Sequence, residues 1–323
     1  MWLGDPCQRH MGVKKMFLCI GEPLVEFTNA PEAPSRFDRR AGGDTLNTAI
    51  YLARLLGPGK VGYLSRLGDD AMSDYLRRTL SEEGITDLCA TEAAGRPGLS
   101  FIATDSLGER SFTYWREHSP ARRLFSSDDE VQTLHRAKTL VLSGVTLAML
   151  LPQGRANLLC ALKDHRDRGG EIVLDTNYRA SLWSDAATAR DIIGRAARLS
   201  TLVLPSQDDI ASCFDISDTA DGMHFLMELT EAEIVLTTGG GAVLHRGAHS
   251  ASFDVWPVPP RRVAKDTTGA GDSFNAGWLA ARLAGCCPAD AIARAAQLAA
   301  EVVGHPGAIL PRAAMPSATK APT

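Results

Sequence analysis

In Lys265-Asp-Thr-Thr-Gly-Ala-Gly-Asp-Ser-Phe-Asn-Ala-Gly277, two glycines flank an alanine and lead straight into a helix-forming stretch, Ser273 to Leu283. Gly269 and Gly271 carry no side chains, so the backbone N–H groups around Ala270 can close on an anion. A helix starting there sets those groups at the positive end of its dipole. Asp272 in the same turn can accept a proton from an attacking hydroxyl. Amides gathered beside a carboxylate suit the charge that develops on a transferring phosphoryl group. The stretch lacks the GK[ST] ending of a P-loop, and no GxGxxG follows the first strand, so a dinucleotide site is not expected.

Outward from this turn, apolar runs alternate with helical patterns. Met16–Ile20, stopped by Gly21, is uniformly apolar, as a strand buried on both faces is. Leu46, Ala49, Ile50, Leu52, Ala53 and Leu56 recur at helical spacing, with Asp44 or Thr45 to cap the start and Gly57-Pro58 to end it. Further strands are expected at Val61–Ser65, Thr139–Ser143, Glu171–Asp175, Thr201–Pro205 and Ile234–Thr238, with helices near Ala71–Glu83, Pro152–Arg168, Gly271–Leu283 and Ala289–Val303. Repeated β-α units of this length imply a mostly parallel sheet covered by helices on both sides, a three-layer α/β/α fold.

Gly98–Thr104 and Arg110–Glu117 break the rhythm, as two strand-like runs joined by Asp105-Ser-Leu-Gly-Glu109, a hairpin signal. With a second segment at about 24–40, residues 97–118 are expected to form a small β-sheet lid over a ligand crevice. Residues 1–15 are expected to be a flexible extension, 16–312 the main domain, and 313–323 a disordered tail.

Bulk properties exclude several classes. A net charge of −4 without a basic stripe argues against nucleic acid. No apolar stretch reaches the roughly 20 residues that span a bilayer, and the N-terminus has no secretory h-region. Seven scattered cysteines without CxxC spacing point to a reducing cytoplasm. No HExxH pattern marks a zinc site, and no serine has a nucleophile-elbow context.

DTTGAGDSFNAG resembles the C-terminal signature of the ribokinase-like (PfkB) carbohydrate kinases, and Gly42-Gly43-Asp44-Thr45-Leu46-Asn47 resembles that family's N-terminal sugar-binding motif. The likeness runs from about Met16 to Arg312. It implies a ribokinase-like fold, with Gly269, Ala270 and Gly271 as the anion hole and Asp272 as the catalytic base. Gly43, Asp44 and Asn47 would hold sugar hydroxyls. Thr237, Gly239 and Gly241 in Thr-Thr-Gly-Gly-Gly241, together with Thr268 and Gly307, would face ATP. The family's NxxE motif, tied to metal and phosphate handling, is altered here to Ser206-Gln-Asp-Asp209. Asp209 is then expected to hold magnesium through water. ATP and Mg2+ are the implied cofactors, and a monovalent cation is compatible with the family.

Three stretches speak to the sugar. Ser111-Phe-Thr-Tyr-Trp-Arg-Glu117 reads as a strand with Phe112, Tyr114 and Arg116 on one face, while Trp115 and Glu117 point away. Arg179 follows a buried strand, at the edge of an open α/β sheet where ligands collect. Arg96-Pro-Gly-Leu-Ser-Phe101 sets Phe101 near the lid. Two arginines suit a substrate carboxylate. These stretches resemble 2-keto-3-deoxygluconate kinases, which phosphorylate the 6-hydroxyl of a sugar acid; the resemblance implies that Phe101, Tyr114, Arg116 and Arg179 contact the substrate. The alternatives are a kinase for a neutral sugar or a nucleoside, and a non-catalytic sugar-sensing relative. A homodimer through the lid, whose face is not fully covered by its own chain, is also expected.

Overall fold

β1 (Lys14–Ile20) lies inside the main sheet, where its apolar run at residues 16–20 sets Leu18 and Ile20 toward one helical layer and Phe17 and Cys19 toward the other. Burial on both sides removes any place for polar alternation. The computed structural model describes residues 14–30, 33–104, 110–258 and 264–316. Its remaining strands are β2 (Leu24–Ala30), β3 (Ala33–Gly42), β4 (Val61–Leu64), β5 (Arg66–Leu67), β6 (Thr86–Asp87), β7 (Ala90–Thr91), β8 (Gly98–Thr104) and β9 (Arg110–Trp115). They continue with β10 (Ala137–Ser143), β11 (Glu171–Asp175), β12 (Leu202–Leu204), β13 (Glu233–Thr237), β14 (Ala242–Arg246) and β15 (Asp254–Pro257).

Nine strands form the central sheet in the order β15-β14-β13-β12-β11-β10-β1-β4-β6. Every pairing from β6 to β13 is parallel, and β14 and β15 add an antiparallel edge. The helices are α1 (Asp44–Leu56), α2 (Ala71–Glu82), α3 (Asp128–Thr133), α4 (Gly144–Met149), α5 (Pro152–Asp167), α6 (Ala186–Leu199), α7 (Gln207–Phe214), α8 (Thr219–Leu229), α9 (Ala270–Leu283) and α10 (Pro288–Val303). α1, α2, α9 and α10 bury one face of the sheet, and α4, α5 and α6 bury the other. This is the expected three-layer arrangement. Among the described residues no helix is long and apolar enough to cross a membrane.

A separate four-stranded sheet, ordered β3-β2-β8-β9, stands beside the main one. Its β2 pairs antiparallel with β3 and parallel with β8. The Pro-containing segment around residues 30–34, read from sequence as a turn, already holds the start of the ten-residue β3 at Ala33, so this sheet gains a strand there. The joining turn at 105–109 lies outside the described residues.

The expected termini shift. β1 begins at Lys14, inside the segment read as an extension, because its first residue already pairs with Ala137 of β10. At the other end, Arg312–Ala314 make a 3-10 turn and Ala314 and Met315 pack on the core, so the start of the tail is ordered by apolar contact. Residues 1–13 and 317–323 lie outside the description.

Candidate active site

The carboxyl edge of the parallel sheet gathers the chain's polar segments. Glu22 follows β1, Val145 follows β10, Asp175–Arg179 leave β11, Pro205-Ser206 leave β12 and Thr237 ends β13. Together with the small sheet and the start of α9 they enclose a cavity of ≈ 600 Å³, a volume that suits a small polar ligand.

At one end lies the glycine-rich turn. Gly269 is the N-cap of α9 at φ 76°, and a Cβ there would come within 2.7 Å of the Ala308 carbonyl. Only glycine fits both constraints. The Ala270 N–H closes on the Thr267 carbonyl at 3.2 Å. Among the described residues, the Gly271 and Asp272 N–H groups meet no protein acceptor. A Cβ on Gly271 would find nothing within 4 Å. The amides open to an anion are therefore one residue further along than Ala270. Asp266 braces this turn, since its Oδ1 accepts from the Thr268 N–H and hydroxyl and its Oδ2 from the Gly307 N–H.

Asp272 lines the cavity beside these amides. Burial, and then the charge of Asp44, push its carboxyl up to about 7, against the Asn47 hydrogen bond (Nδ2 to Oδ2, 2.8 Å) and the positive charge of Arg179. A carboxylate poised near neutrality can take and release a proton at working pH.

The segment Gly43–Asn47 opens α1 against the base. Gly43 is the N-cap at φ 112°, with the Glu22 carbonyl where a Cβ would stand, and no side chain caps the helix. The expected cap at Asp44 or Thr45 is thus not made: Asp44 spends its carboxylate on Asn177 Nδ2 at 2.8 Å. Asn47 Oδ1 is buried with no partner among the described residues, an acceptor that a ligand hydroxyl would satisfy.

Beyond β11 the chain is held from three sides. Asp209 accepts from the Thr176 hydroxyl (2.8 Å) and the Tyr178 N–H (3.0 Å), and Asp175 accepts from the Asn177 N–H (3.1 Å) and Asn275 Nδ2 (2.9 Å). Asp175 is half-buried at the cavity wall, and desolvation together with the charges of Asp209, Asp272 and Asp44 holds its carboxyl well above the usual carboxylate range. Arg179 at the end of this loop is 60% exposed, donates to the Tyr178 carbonyl and lies 3.8 Å from Asp209.

From the small sheet, Glu26, Phe112, Tyr114 and Arg116 face the cavity, with the Phe112 and Tyr114 rings stacked 6.3 Å apart. Arg116 is not a free cation. Its Nε and Nη2 both donate to Glu22 Oε2, and the two side chains are only 9% and 1% exposed. Gly98 makes room for the pair, because a Cβ there would strike Glu22 Oε1 at 2.6 Å.

The cavity brings together Gly43, Asp44, Asn47, Tyr114, Arg116, Arg179, Asp209, Thr237, Thr268, Gly269, Ala270, Gly271 and Asp272. Phe101 is not among them. Strand alternation puts it on the opposite face, stacked on Phe27 at 5.4 Å and against Trp115 at 4.6 Å. Gly239 and Gly241 stand in the turn between β13 and β14, and Gly307 lies under Arg40 of β3, all outside the cavity lining.

Asp209 has both carboxylate oxygens engaged, whereas Asp208 lines the cavity on the exposed side. Among the described residues no three His, Cys, Asp or Glu side chains are arranged to hold a metal. The oxygen donors present fit a divalent ion that keeps its waters and binds mainly through nucleotide phosphates. Glu22, Asp175, Asn177, Asp208 and Asn275 were given no role from sequence. Asp175 and Asn177 lie in the quoted Asp-Thr-Asn-Tyr-Arg run and Asn275 in the glycine-rich signature; for Glu22, no signal short of the fold existed.

The family model for pfkB family carbohydrate kinases matches residues 14–315. A 2-dehydro-3-deoxygluconokinase of Dickeya dadantii is 35% identical over 94% of this chain and 99% of its own. The 2-dehydro-3-deoxygluconokinase of Escherichia coli K12 is 33% identical over 94% of this chain and 100% of its own. Among solved structures, a PfkB protein from Polaromonas sp. JS666 superposes with a TM-score of 0.78 at 26% identity, covering 91% of this chain and 97% of that one. A fructokinase from Xylella fastidiosa with bound ATP gives 0.76 at 24%, covering 94% and 95%.

Proposed function

The chain belongs to the pfkB family of carbohydrate kinases, and within it we propose that this enzyme phosphorylates 2-keto-3-deoxygluconate at the 6-hydroxyl, with ATP as donor. The observation that carries the reading is the placing, in one cavity, of open amides at a helix start, a carboxyl near neutrality, and the exposed guanidinium of Arg179. The first two serve the transfer at one end of a substrate, and the third meets a carboxylate at the other.

Asp272 takes the proton as the hydroxyl oxygen bonds to the γ-phosphorus, and the bond to the bridging oxygen of ADP breaks. The Gly271 and Asp272 N–H groups face the charge on the transferring group. Asp208, on the exposed side of the cavity, would hold a water of a nucleotide-bound Mg2+, which would supply charge neutralisation to the phosphates. Gly43, Asp44 and Asn47 orient the sugar hydroxyls, Tyr114 and Phe112 cover its carbon skeleton, and Arg179 binds the carboxylate, Arg116 being held by Glu22. The β3-β2-β8-β9 sheet acts as a lid that excludes water from the reaction.

The outer face of that sheet carries Phe27, Phe37, Phe101 and Trp115, with Phe37 45% and Trp115 60% exposed. An aromatic patch of this kind supports a homodimer through the lid. A cytoplasmic location fits the substrate pair and the unpaired cysteines.

An ADP-coupled assay with 2-keto-3-deoxygluconate, its C4 epimer, fructose and ribose tests the substrate. The sugar acids should be turned over with the highest kcat/KM. Preference for fructose or ribose would replace this reading with a neutral-sugar kinase, and no turnover of any of them would leave a non-catalytic relative.

A further inference from the structure

Asp175 is a half-buried carboxylate that the reaction does not use. It belongs to a closed ring of three carboxylate–carboxamide contacts. Asn47 Nδ2 donates to Asp272, Asn177 Nδ2 to Asp44, and Asn275 Nδ2 to Asp175, at 2.8, 2.8 and 2.9 Å. The ring joins three elements pairwise: α9 to α1, α1 to the loop after β11, and that loop back to α9.

Among the hydrogen bonds of the described residues, only the last links the base's helix to the arginine's loop directly. Asn275 stands three residues after Asp272, nearly one turn along the same helix, so the two move as one body. Asp175 opens the loop that ends in Arg179, and its other oxygen holds the Asn177 N–H. Asn177 sits at φ 25°, in the left-handed region that asparagine tolerates better than most residues. The loop between Asp175 and Arg179 is itself pinned by Asp209 at Thr176 and Tyr178. Little slack is left between Asp175 and Arg179, so the contact with Asn275 governs how far the arginine lies from the base.

We propose that Asp175 and Asn275 are a positioning pair that sets the reach from Asp272 to Arg179, so that the enzyme selects sugar acids by the chain length between carboxylate and phosphorylated hydroxyl. The inference rests on the reading of the site given above. Neither residue touches the reacting atoms. Their effect is to hold two groups that do at a separation matched to a six-carbon acid, and misplacement of about 1 Å in such a site can cost roughly 10²-fold in rate.

The test compares wild type, Asn275→Asp and the swap Asp175→Asn/Asn275→Asp on 2-keto-3-deoxy acids of five, six and seven carbons. Asn275→Asp sets two carboxylates against each other. It should lower kcat/KM for the six-carbon acid by about 10²-fold, flatten the preference for six carbons, and leave KM for ATP near its original value. In the swap, residue 175 keeps an oxygen for the Asn177 N–H and turns its amide toward the new carboxylate. It should return the six-carbon preference to within about threefold of wild type. Should Asn275→Asp fail to fold, Asn275→Ala, which only removes the donor, is read in the same way. An unchanged length preference in the single variant, or a swap as impaired as the single variant, overturns the inference while the sugar-acid reading stands. A wild type that ignores the six-carbon acid and takes a neutral sugar overturns both.

Discussion

Arg116 and Arg179 both face the cavity, yet their removal should have different consequences. Arg116 and Glu22 form a buried pair, 9% and 1% exposed, and Glu22 Oε1 has no other partner among the described residues. Arg116→Ala leaves a carboxylate buried without a counter-ion, a loss of about 3–5 kcal/mol in stability. An unfolding entropy of about 2.1 cal/mol/K per residue, over 323 residues, converts that to a fall in Tm of about 4–7 °C. Arg179 is 60% exposed, and the buried Asp209 that lies 3.8 Å from it keeps its bonds from the Thr176 hydroxyl and the Tyr178 N–H, so Arg179→Ala should cost no more than about 1 kcal/mol of stability. Its loss should appear in binding instead. Charge-assisted hydrogen bonds are worth about 1.5–3 kcal/mol, or roughly 10–150-fold in KM for the sugar acid. Differential scanning fluorimetry and initial-rate kinetics on the two variants read both quantities. As a control, the paired change Glu22→Leu/Arg116→Met should recover most of the lost Tm, since apolar groups of similar volume leave no orphaned charge. An Arg116→Ala protein that melts within a degree of wild type would refute the buried-pair argument. An Arg179→Ala enzyme with unaltered KM for the sugar acid would refute the placing of the carboxylate.

Three further outcomes follow from the same geometry. Because Asp272 must be ionised to act and titrates at about 7, kcat/KM should rise with pH through that value, and Asp44→Asn, which removes a neighbouring charge, should move the limb to lower pH. Between pH 3.8, where the unfolded carboxyl titrates, and about 7 the folded carboxyl holds a proton that the unfolded chain has released, so stability falls as pH rises through that window. Asp272→Asn should therefore lose about 10²–10⁴-fold in turnover while its Tm advantage over wild type widens from pH 4 to pH 8. Gly271→Ala meets no atom within 4 Å and should gain up to about 1 kcal/mol of stability while obstructing the anion site. Gly269→Ala, at φ 76° and 2.7 Å from the Ala308 carbonyl, should lose about 1–3 kcal/mol; denaturant melts and coupled rates separate the two. Finally, Phe37→Asp/Trp115→Asp should yield a monomer by sedimentation velocity, and a wild type already monomeric at micromolar concentration would remove the lid interface.

Much of this was legible from local pattern. Strands such as β1 and β11 announce themselves because burial on both faces forces the runs at residues 16–20 and 172–174 to be apolar. The glycine-rich turn is legible for a similar reason: a left-handed N-cap and open amides admit few residues, so composition at Gly269–Gly271 follows directly from backbone geometry. The period-2 reading of β9 likewise placed Phe112, Tyr114 and Arg116 on one face.

What sequence left undetermined was partnership at a distance. Arg116 reads as a free cation until folding brings Glu22 onto it from 94 positions away, and Asp44 reads as a helix cap until Asn177 arrives from 133 positions away. Phe101 sits in a lid strand as expected, but which face it presents depends on the register with β2 and β9, which strand sequence alone does not specify. Local sequence thus determined the fold and the anion-binding turn, because each is encoded by neighbours along the chain. Only the tertiary structure decided which charges in the cavity remain available, because a carboxylate's partner is chosen by distance in space and by the cost of leaving it buried alone.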